Sequence, residues 1–365
     1  MSWLLLEPYH DGSHRQLVDG LREHVVPDAD LWTLPARKWK WRMRGAALEF
    51  SRRVHESGTR PHAIFASSML NAAEFRALLP ATRRTVPLLL YFHENQLTYP
   101  VQHFDPRDHH FAWTNVHSAL AADRVLWNSA YNRDAFLGAL ERLIHKMPDA
   151  RPDWAVEAIA ARSRVLPVPI DDAQILGDVA DVEPRHGVCH VVWNHRWEHD
   201  KGPERLHTAV EALCASGLDF EMSVVGQCFR TSPSVFGEIG ERLGDRRRAW
   251  GFLESRRDYH RLLATADVVL STADHEFQGL AVLEGAAAGA VPLVPDALAY
   301  PEIWPGAWRY RDDEDMVTKL LDRVGQPGRW RSVDARPTAI GYGWSRLAHV
   351  WNEELSALGH GEDVH

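Results

Sequence analysis

Short, continuous apolar runs alternate with longer amphipathic stretches along most of the chain. Continuous runs of this kind are typical of strands that are buried on both faces of a parallel sheet. The runs that predict strands cover residues 3–8, 62–67, 86–92, 124–129, 164–169, 189–195, 220–226, 267–272 and 290–295. The stretches between them predict helices, so we expect an α/β protein with a repeated strand–helix pattern.

A stretch rich in proline and acidic residues, 146–187, interrupts this pattern. Because 365 residues exceed one typical core, we interpret this stretch as the junction between two Rossmann-like domains. The predicted domains span 1–170 together with 343–365, and 185–342. Residues 344–355 carry apolar side chains at helical spacing and predict a C-terminal helix. Since doubly wound domains bind ligands beyond the carboxyl ends of their strands, we expect the two domains to face an interdomain cleft.

Composition narrows the class of protein. The chain has 45% hydrophobic and 25% charged residues, which is globular composition, and no run approaches the roughly 18 apolar residues of a membrane span. The N-terminus has no basic segment ahead of a long apolar one, and the three cysteines share no metal-ligand spacing. We therefore expect a cytoplasmic protein without a membrane partner. The net charge of −9 argues against a general nucleic-acid coat but leaves room for a local basic site.

Residues suited to chemistry lie just after the predicted strands, and the most informative stretch is HEFQGLAVLEG. Glu276 and Glu284 lie eight residues apart, and a helix of small residues begins at Gly279 between them. The N–H groups of Gln278, Gly279 and Leu280 have no intrahelical acceptor at such a helix start and can hold phosphate. Alone, this spacing also fits a buried helix with one surface glutamate and one capping glutamate.

Two further motifs carry groups suited to phosphate. Arg196 and Lys201 follow a predicted strand and precede a helix, where two cations can neutralise a diphosphate leaving group. Alone, they also fit two surface cations. Gly12, Ser13 and His14 follow the first strand in a turn that resembles a phosphate-approach loop. The turn is no G-x-G-x-x-G, which argues against dinucleotide oxidoreductase chemistry.

The sequence predicts no metal site. His93 and Glu94 follow a strand in YFHENQLTYP, but the stretch is not H-E-x-x-H, and the histidines at 103, 109, 110 and 117 match no ligand spacing. The acidic run 312–315 looks like a D-x-D motif. Acidic residues there are better explained as the first turn of an exposed helix.

One octet departs from the acidic character of the chain. RKWKWRMR, residues 37–44, follows a second strand region, DADLWTLP, and holds five basic residues and two tryptophans. Basic side chains can track an RNA backbone, and tryptophan can stack on an unpaired base. The alternative is a helix start whose tryptophans pack inward, although Trp39 and Trp41 would not share a helix face.

Together these motifs are more specific than any one of them. Arg-x4-Lys followed by Glu-x7-Glu resembles the donor site of the retaining family-4 glycosyltransferases (GT4), which have the GT-B fold. The chain from Trp3 to about Trp304 resembles the tRNA-queuosine mannosyltransferase family, whose members move mannose from GDP-mannose onto queuosine in a tRNA anticodon. The matching stretches are LLLEPYHDGSHRQLVDGL, RKWKWRMR, YFHENQLTYP, LWNSAYNRDAFL, HEFQGLAVLEG and LAYPEI.

The resemblance implies an α/β protein of the GT-B class. It implies an acceptor-binding N-terminal domain, a donor-binding C-terminal domain and a C-terminal helix that crosses back to the first domain. The implied partners are a queuosine-containing tRNA and a sugar nucleotide, and the implied reaction is a retaining transfer. No cofactor or metal is expected, because Arg196, Lys201 and a helix N-terminus supply positive charge.

The resemblance also assigns roles to single residues. His93 would lie near the reacting sugar, Glu276 would bind donor-sugar hydroxyls, and Arg196 and Lys201 would stabilise the leaving diphosphate. Glu284 would hold the ribose hydroxyls. The other implied donor contacts are Gly12, Ser13 and the backbone of Phe277, Gln278, Gly279 and Leu280. The implied acceptor contacts are His14, Arg37, Lys38, Trp39, Lys40, Trp41, Arg42, Glu94, Asn95 and Asn128.

Other interpretations stay open. Asn128 or Ser129 also fits a helix cap. The fold could serve another sugar nucleotide with a lipid, small-molecule or protein acceptor. In a different class of function, a catalytically silent protein would bind a sugar nucleotide or RNA, although such a protein has no need of all four residues of the Glu276/Glu284 and Arg196/Lys201 pairs.

Overall fold

The computed structural model describes residues 2–100, 109–183, 185–229 and 231–359. The chain forms two compact units. Unit 1 consists of Met1–Pro169 and Arg346–His365, and unit 2 consists of Ile170–Ser345. The chain passes from unit 1 to unit 2 inside the proline-rich stretch that interrupts the sequence pattern.

Unit 1 contains a parallel sheet flanked by helices. Its strand order is β2-β1-β3-β4-β5-β6, and every neighbouring pair is parallel. The strands are β1 (Trp3–Glu7), β2 (Asp30–Thr33), β3 (Ala63–Ser67), β4 (Leu88–Phe92), β5 (Arg124–Trp127) and β6 (Ser163–Val165). The helices are α1 (Gly12–His24), α2 (Trp39–Ser57), α3 (Ala72–Leu78), α4 (His109–Ala121), α5 (Ala130–His145) and α6 (Trp154–Ala161).

The core of unit 1 explains its continuous apolar strands. Every residue of β1, β3 and β4 is buried, as expected for central strands that have helices on both faces. Alternate residues such as Leu4, Ile64 and Leu90 join one hydrophobic cluster with Phe50 of α2. The carboxyl ends of these strands are thereby held in fixed positions.

The C-terminal helix α16 (Trp344–Gly359) completes unit 1. The ring of Trp351 lies 5.5 Å from that of Tyr91, and its Nε1 donates to the carbonyl oxygen of Pro167 at 3.3 Å. Glu354 pairs with Arg124 at 2.7 Å and with Arg164 at 2.9 Å. The expected return of the C-terminal helix to the first unit is therefore present.

Unit 2 contains a second parallel sheet, with strand order β12-β11-β10-β7-β8-β9. The strands are β7 (Cys189–Trp193), β8 (Phe220–Val225), β9 (Arg247–Gly251), β10 (Val268–Leu270), β11 (Val291–Pro295) and β12 (Arg309–Tyr310). The helices are α7 (Asp172–Val179), α8 (Pro203–Ala215), α9 (Val235–Leu243), α10 (Arg256–Ala264), α11 (Leu280–Ala288), α12 (Tyr300–Ile303), α13 (Asp313–Gly325), α14 (Pro327–Arg331) and α15 (Arg336–Ile340).

The two sheets confirm the predicted α/β class, and each predicted strand coincides with an observed one. The apolar pattern of the sequence does not predict β9 and β12. The acidic run 312–315 opens α13, where the side chain of Asp312 accepts from the N–H of Asp315 at 2.8 Å, so its interpretation as a helix start is confirmed. Among the described helices, none combines the length and the apolar character that crossing a bilayer requires.

Candidate functional site

Unit 2 brings Lys201 and Glu276 together. The neighbouring strands β7 and β10 are parallel, so the loops that follow them leave the same edge of the sheet. Lys201 follows β7, Glu276 follows β10, and their Nζ and Oε2 atoms lie 3.2 Å apart. The Nζ atom also donates to the carbonyl oxygen of His275 at 3.0 Å and pairs with Asp200 at 3.1 Å. The buried lysine therefore holds the Glu276 carboxylate in place.

The ion pair of Lys201 and Glu276 influences the protonation states of the groups beside it. Burial by itself raises the pKa of Glu276. The charge and hydrogen bond of Lys201, together with His195 and the N–H of Gln278, outweigh burial and hold that pKa at about 2. His195, two residues beyond β7, is buried, and burial together with the Lys201 charge lowers its pKa to about 4. At neutral pH this loop edge therefore carries a carboxylate, an ammonium group and an uncharged imidazole.

The N-terminus of α11 lies directly after this pair. Helix α11 begins at Leu280, one residue after the predicted start, and its N-cap Gly279 has φ of +88°. A Cβ atom on Gly279 would lie 2.8 Å from Cε1 of Tyr300, so only glycine fits there. The backbone N–H groups of Phe277 and Gln278 donate to Oε1 of Glu276 at 3.1 and 3.4 Å. The first N–H groups of the helix have no intrahelical acceptor and suit an anion.

Glu284, one turn into α11, belongs to a network that the sequence analysis missed. Its Oε1 accepts from Arg256 at 2.6 Å and its Oε2 accepts from the hydroxyl of Tyr259 at 3.0 Å. That hydroxyl also accepts from Nδ2 of Asn194 at 2.9 Å. The Glu284 carboxylate is thus oriented from two sides. The spacing of Arg256 and Tyr259 on one face of α10 was the available signal, but only the fold brings that face to α11.

Arg196 lies in a more open position than Lys201. Its side chain is 45% exposed, and its Nη1 pairs with Glu198 at 3.0 Å. The structure places Arg196 on the same loop edge as Lys201, and its role on a leaving group stays a prediction.

Unit 1 holds a second set of polar residues at its strand ends, which centres on Glu7. Glu7 is the last residue of β1 and is fully buried. Its Oε1 accepts from the N–H of Tyr9 at 2.7 Å and from the hydroxyl of Ser67, the last residue of β3, at 3.0 Å. Its Oε2 lies 3.1 Å from Nδ1 of His14. The sequence analysis missed Glu7, although an acid that ends a wholly apolar strand is an available signal.

His14 links this carboxylate to the end of β4. Its Nε2–H donates to Oε2 of Glu94 at 3.2 Å, and its ring stacks on that of His93 with centroids 4.0 Å apart. Burial alone lowers the pKa of His14, but the carboxylates of Glu7 and Glu94 outweigh burial and raise it to about 10. Burial and the His14 charge hold the pKa of His93 well below its ordinary value. We call Glu7, His14, His93 and Glu94 the Glu–His cluster.

Three members of the Glu–His cluster also form the group of described residues that could hold a metal ion. Glu7, His14 and His93 each offer one ligand atom, and these atoms lie within 4.8 Å of one another. However, stacked imidazoles direct their in-plane lone pairs along parallel planes, and zinc needs ligand nitrogens that converge at about 2.0–2.1 Å. An imidazolium between two carboxylates explains the contacts better. Of the histidines considered from the sequence, His103 lies outside the described residues.

Buried amides fix the backbone at His93 and Glu94. Nδ2 of Asn128 donates to the carbonyl oxygen of His93 at 2.8 Å, and Nδ2 of Asn95 donates to Oδ1 of Asn132 at 2.8 Å. Asn95 and Asn128 are both buried, so their amides bond within the fold in this structure. The cap of α5 is Ser129, whose hydroxyl accepts from the N–H of Asn132 at 3.0 Å. Of Asn128 and Ser129, which both fit a helix cap from the sequence, Ser129 is the cap in the structure.

The start of α1 is open. Gly12 is its first residue, with φ of +50°, and no atom lies within 4 Å of where its Cβ would be. The side chain of Asp11 caps the helix by accepting from the N–H of Gly12 at 2.9 Å. Ser13 is half-buried beside it.

The basic octet spans the start of α2, with Lys38 as the N-cap, and its two tryptophans differ. Trp39 is half-buried, and its ring lies 5.1 Å from that of Phe111. Trp41 is 75% exposed. Inward packing is therefore present for Trp39 and not for Trp41, and RNA contact by the octet stays a prediction. The exposed cations of the octet are Arg37, Lys38, Lys40 and Arg44, of which Lys40 and Arg44 lie over the ring of Phe111. Arg42 donates through Nε to the carbonyl oxygen of Pro35 at 2.9 Å.

Solved structures of similar fold cover the whole chain. Sucrose-phosphate synthase from Thermosynechococcus elongatus aligns with a TM-score of 0.72 and 15% identity over 99% of this chain and 100% of that chain. Anabaena HepE in complex with UDP and glucose aligns with a TM-score of 0.67 and 16% identity over 98% of this chain and 100% of that chain. These likenesses confirm the GT-B fold, with its two parallel α/β sheets.

Sequence relatives narrow this class. The model of the tRNA-queuosine alpha-mannosyltransferase N-terminal region matches residues 2–170. The tRNA-queuosine alpha-mannosyltransferase of Drosophila melanogaster is 37% identical over 343 residues, which are 90% of this chain and 88% of that protein. The chain belongs to the tRNA-queuosine alpha-mannosyltransferase family, and the resemblance found in its sequence is confirmed. A GDP-mannose-dependent alpha-(1-6)-phosphatidylinositol dimannoside mannosyltransferase of Mycobacterium tuberculosis is 31% identical over 169 residues, 44% of this chain and 42% of that protein.

Proposed function

We propose that this protein transfers mannose from GDP-mannose to queuosine in a tRNA, with retention of configuration and without a metal ion. The observation that carries the proposal is the 37% identity to the Drosophila melanogaster enzyme over 90% of this chain. The name of the Mycobacterium tuberculosis relative supports GDP-mannose as donor. Because GDP-mannose holds its sugar in an α linkage and the family is named for an α product, the transfer retains configuration. A tRNA acceptor leads us to place the enzyme in the cytoplasm.

Unit 2 would bind the donor. Lys201 and the N-terminus of α11 would offset the charge of the departing diphosphate, as pre-organised donors do in other transfer reactions. Arg196, whose side chain is exposed in the loop after β7, would contact the same phosphates. Glu276 would accept hydrogen bonds from sugar hydroxyls, since the charge of Lys201 keeps it ionised. Glu284, oriented by Arg256 and Tyr259, would do the same for the ribose hydroxyls.

The transfer needs no protein nucleophile in this scheme. The bond between the mannose C1 and the diphosphate oxygen breaks, and an oxocarbenium-like centre develops at C1. The acceptor hydroxyl then bonds to C1 on the face that the diphosphate leaves, and its proton passes to a phosphate oxygen of GDP. His93 is uncharged and offers ring nitrogens for hydrogen bonds near the reacting sugar.

Unit 1 would bind the tRNA. Trp41 presents an exposed indole on an octet that also carries exposed cations, and aromatic and basic side chains together suit single-stranded RNA. Trp39 packs inside and would support the turn that carries Trp41. In this proposal Trp41 contacts the RNA and Trp39 stabilises the start of α2.

The test is incubation of the purified protein with GDP-mannose and queuosine-containing tRNA, followed by mass spectrometry of the digested nucleosides. Queuosine that is heavier by one hexose supports the proposal, and Glu276→Ala should abolish the shift. The same tRNA with unmodified guanosine is the matched control. Release of GDP without a modified nucleoside would support GDP-mannose as the donor and contradict queuosine tRNA as the acceptor. Transfer to phosphatidylinositol mannosides would favour a lipid acceptor.

A further inference from the structure

The Glu–His cluster carries an unbalanced charge. It contains two carboxylates, Glu7 and Glu94, and one imidazolium, His14, which lies between them at 3.1 and 3.2 Å. His93 is uncharged beside the imidazolium. The cluster therefore holds one negative charge in excess, within a buried region at the ends of β1 and β4.

The cluster also has polar atoms without partners. Both ring nitrogens of His93 and Oε1 of Glu94 are buried and lack a hydrogen-bond partner in the part of the chain that the structure describes. His93 is only 3% exposed, and its backbone carbonyl is held by Asn128. Buried polar atoms are nearly always satisfied by protein, water or ligand. These atoms therefore point to a ligand that supplies both a donor and an acceptor.

The excess charge and the free atoms define the chemistry of that ligand. A single cation with an N–H donor would neutralise the cluster and satisfy Oε1 of Glu94. A hydroxyl beside the cation would satisfy a ring nitrogen of His93, since a neutral imidazole has one donor and one acceptor nitrogen. A metal ion would neutralise the charge, but the stacked rings of His14 and His93 do not converge on one point.

The side chain of queuosine has this chemistry. Its cyclopentenediol is attached to the deazaguanine through a secondary amine, which is protonated near neutral pH, and a hydroxyl lies on the carbon next to the one that bears the amine. We propose that the Glu–His cluster is the subsite for this ammonium group and its neighbouring hydroxyl, with Glu94 accepting from the amine and His93 bonding the hydroxyl. The inference rests on the proposed function and names the feature of the acceptor that the enzyme reads.

This subsite distinguishes queuosine from the guanine that it replaces. Guanine at the same tRNA position has no cation and no diol, so it would leave the cluster charged and the ring nitrogens of His93 unbonded. Sites that are built to bond a polar group reject ligands that lack it, because the buried groups then remain without partners. Selectivity for modified tRNA would thus come from unit 1.

The first experiment measures KM values for queuosine tRNA and for GDP-mannose in Glu94→Gln. Glutamine keeps the size of the side chain and an oxygen that can accept from His14, but removes the charge. We expect the KM for tRNA to rise about 10- to 100-fold, as for a lost hydrogen bond to a charged group, and to rise more than the KM for GDP-mannose. Glu94→Asp keeps the charge and should recover part of the loss. Glu23→Gln, an exposed glutamate of α1, is the matched control and should change neither value.

The second experiment uses the unaltered enzyme, so it does not depend on the folding of a variant. Queuosine nucleoside and its N-acetyl derivative, in which the amine is neutral, are compared as inhibitors of tRNA mannosylation. The proposal expects queuosine to inhibit at concentrations at least about tenfold lower than the acetylated form. Equal inhibition by both, failure of queuosine to inhibit, or an unchanged KM for tRNA in Glu94→Gln would each overturn the proposal. If the unaltered enzyme does not mannosylate queuosine tRNA at all, the proposed function fails instead.

Discussion

Lys201 and Glu276, 75 residues apart in sequence, form an ion pair with 3.2 Å between Nζ and Oε2 at the carboxyl edge of the unit 2 sheet. The lysine is 10% exposed and the glutamate 17%, so neither charge is well solvated. Replacing one member of such an ion pair is destabilising, because the other charge is then left without a partner in a partly buried position.

The replacement Lys201→Met should therefore lower both stability and activity. We expect the free energy of unfolding to fall by about 3 kcal/mol, and the rate of mannosyl transfer to fall by on the order of 100-fold or more. Lys319→Met removes a more exposed lysine, 32% exposed and paired with Asp315, and is the control; we expect it to cost less than about 1 kcal/mol. Equal stability of Lys201→Met and the unaltered protein in chemical denaturation would contradict this account.

Gly279→Ala should disturb the helix start that we assign to the diphosphate. The new Cβ would lie 2.8 Å from Tyr300, whose hydroxyl bonds to Ser271 at 2.7 Å, and φ of +88° is unfavourable for alanine. We expect a loss of about 2 kcal/mol or more in unfolding free energy and weaker binding of GDP-mannose. Gly58→Ala places alanine at φ of +67° in open space and should cost about 1 kcal/mol without changing donor affinity. Calorimetric titration with GDP and thermal unfolding measure the two effects.

The charge on His14 should make stability fall at alkaline pH. Its pKa is raised from 6.5 to about 10 in the folded protein, so the folded state binds the proton more tightly than the unfolded state. The stabilisation is fully present below pH 6.5 and is lost as pH rises through about 10. Between these values, unfolding free energy should drop by up to about 1.4 kcal/mol per pH unit relative to His14→Gln.

Unfolding curves at several pH values test this sign. His24→Gln, an exposed histidine later in the same helix, should leave the slope as it is in the unaltered protein. If His14→Gln and the unaltered protein lose stability in parallel from pH 7 to pH 10, His14 is not held charged by Glu7 and Glu94.

Trp41→Ala should weaken tRNA binding without loss of stability. Stacking of one base on an aromatic side chain contributes about 1–3 kcal/mol, so we expect affinity to fall at least about fivefold. Trp39→Ala should instead lower stability, because that ring packs on Phe111. Trp154, which is 63% exposed in the same unit, provides the control, and Trp154→Ala should change neither quantity. Equal tRNA affinity for Trp41→Ala and Trp154→Ala would remove the octet from the RNA-binding surface.

Activity should survive removal of divalent metal ions. Lys201 and the N-terminus of α11 supply the positive charge that a metal ion supplies in other phosphate-handling enzymes. We expect the rate after exhaustive dialysis against a chelator to match the untreated rate, with no metal at stoichiometric level by elemental analysis. A rate that falls and is restored by one added metal ion would contradict this.

The sequence pattern predicts the central strands well, because a strand buried on both faces must be continuously apolar. It fails at β9, whose segment RRAWG is an edge strand with exposed or half-buried side chains, and at β12, which has two residues. Neither segment has a run of apolar residues in the sequence that would distinguish it from a loop. The start of α11 at Leu280 is predictable to within one residue, since a glycine and a run of small residues mark it.

The sequence likewise predicts some residues of the candidate site and not others. Residues in one short stretch, such as Glu276 and Glu284, are found by spacing and by family resemblance. The partners that orient them, Arg256 and Tyr259, come from another helix, and no local signal joins the two segments. Glu7 is missed for a different reason, since its burial depends on Ser67 and Tyr9 satisfying one oxygen and His14 neutralising the other.

The return of α16 to unit 1 has a consequence for synthesis of the chain. The contacts of Trp351 with Tyr91, and of Glu354 with Arg124 and Arg164, join segments that leave the ribosome more than 180 residues apart. Unit 2 is one continuous segment and can fold while the last turns are still being made, whereas unit 1 must wait with part of its surface uncovered. A nascent chain that stalls shortly before Trp351 would therefore present a finished second half and an incomplete first half to chaperones and proteases.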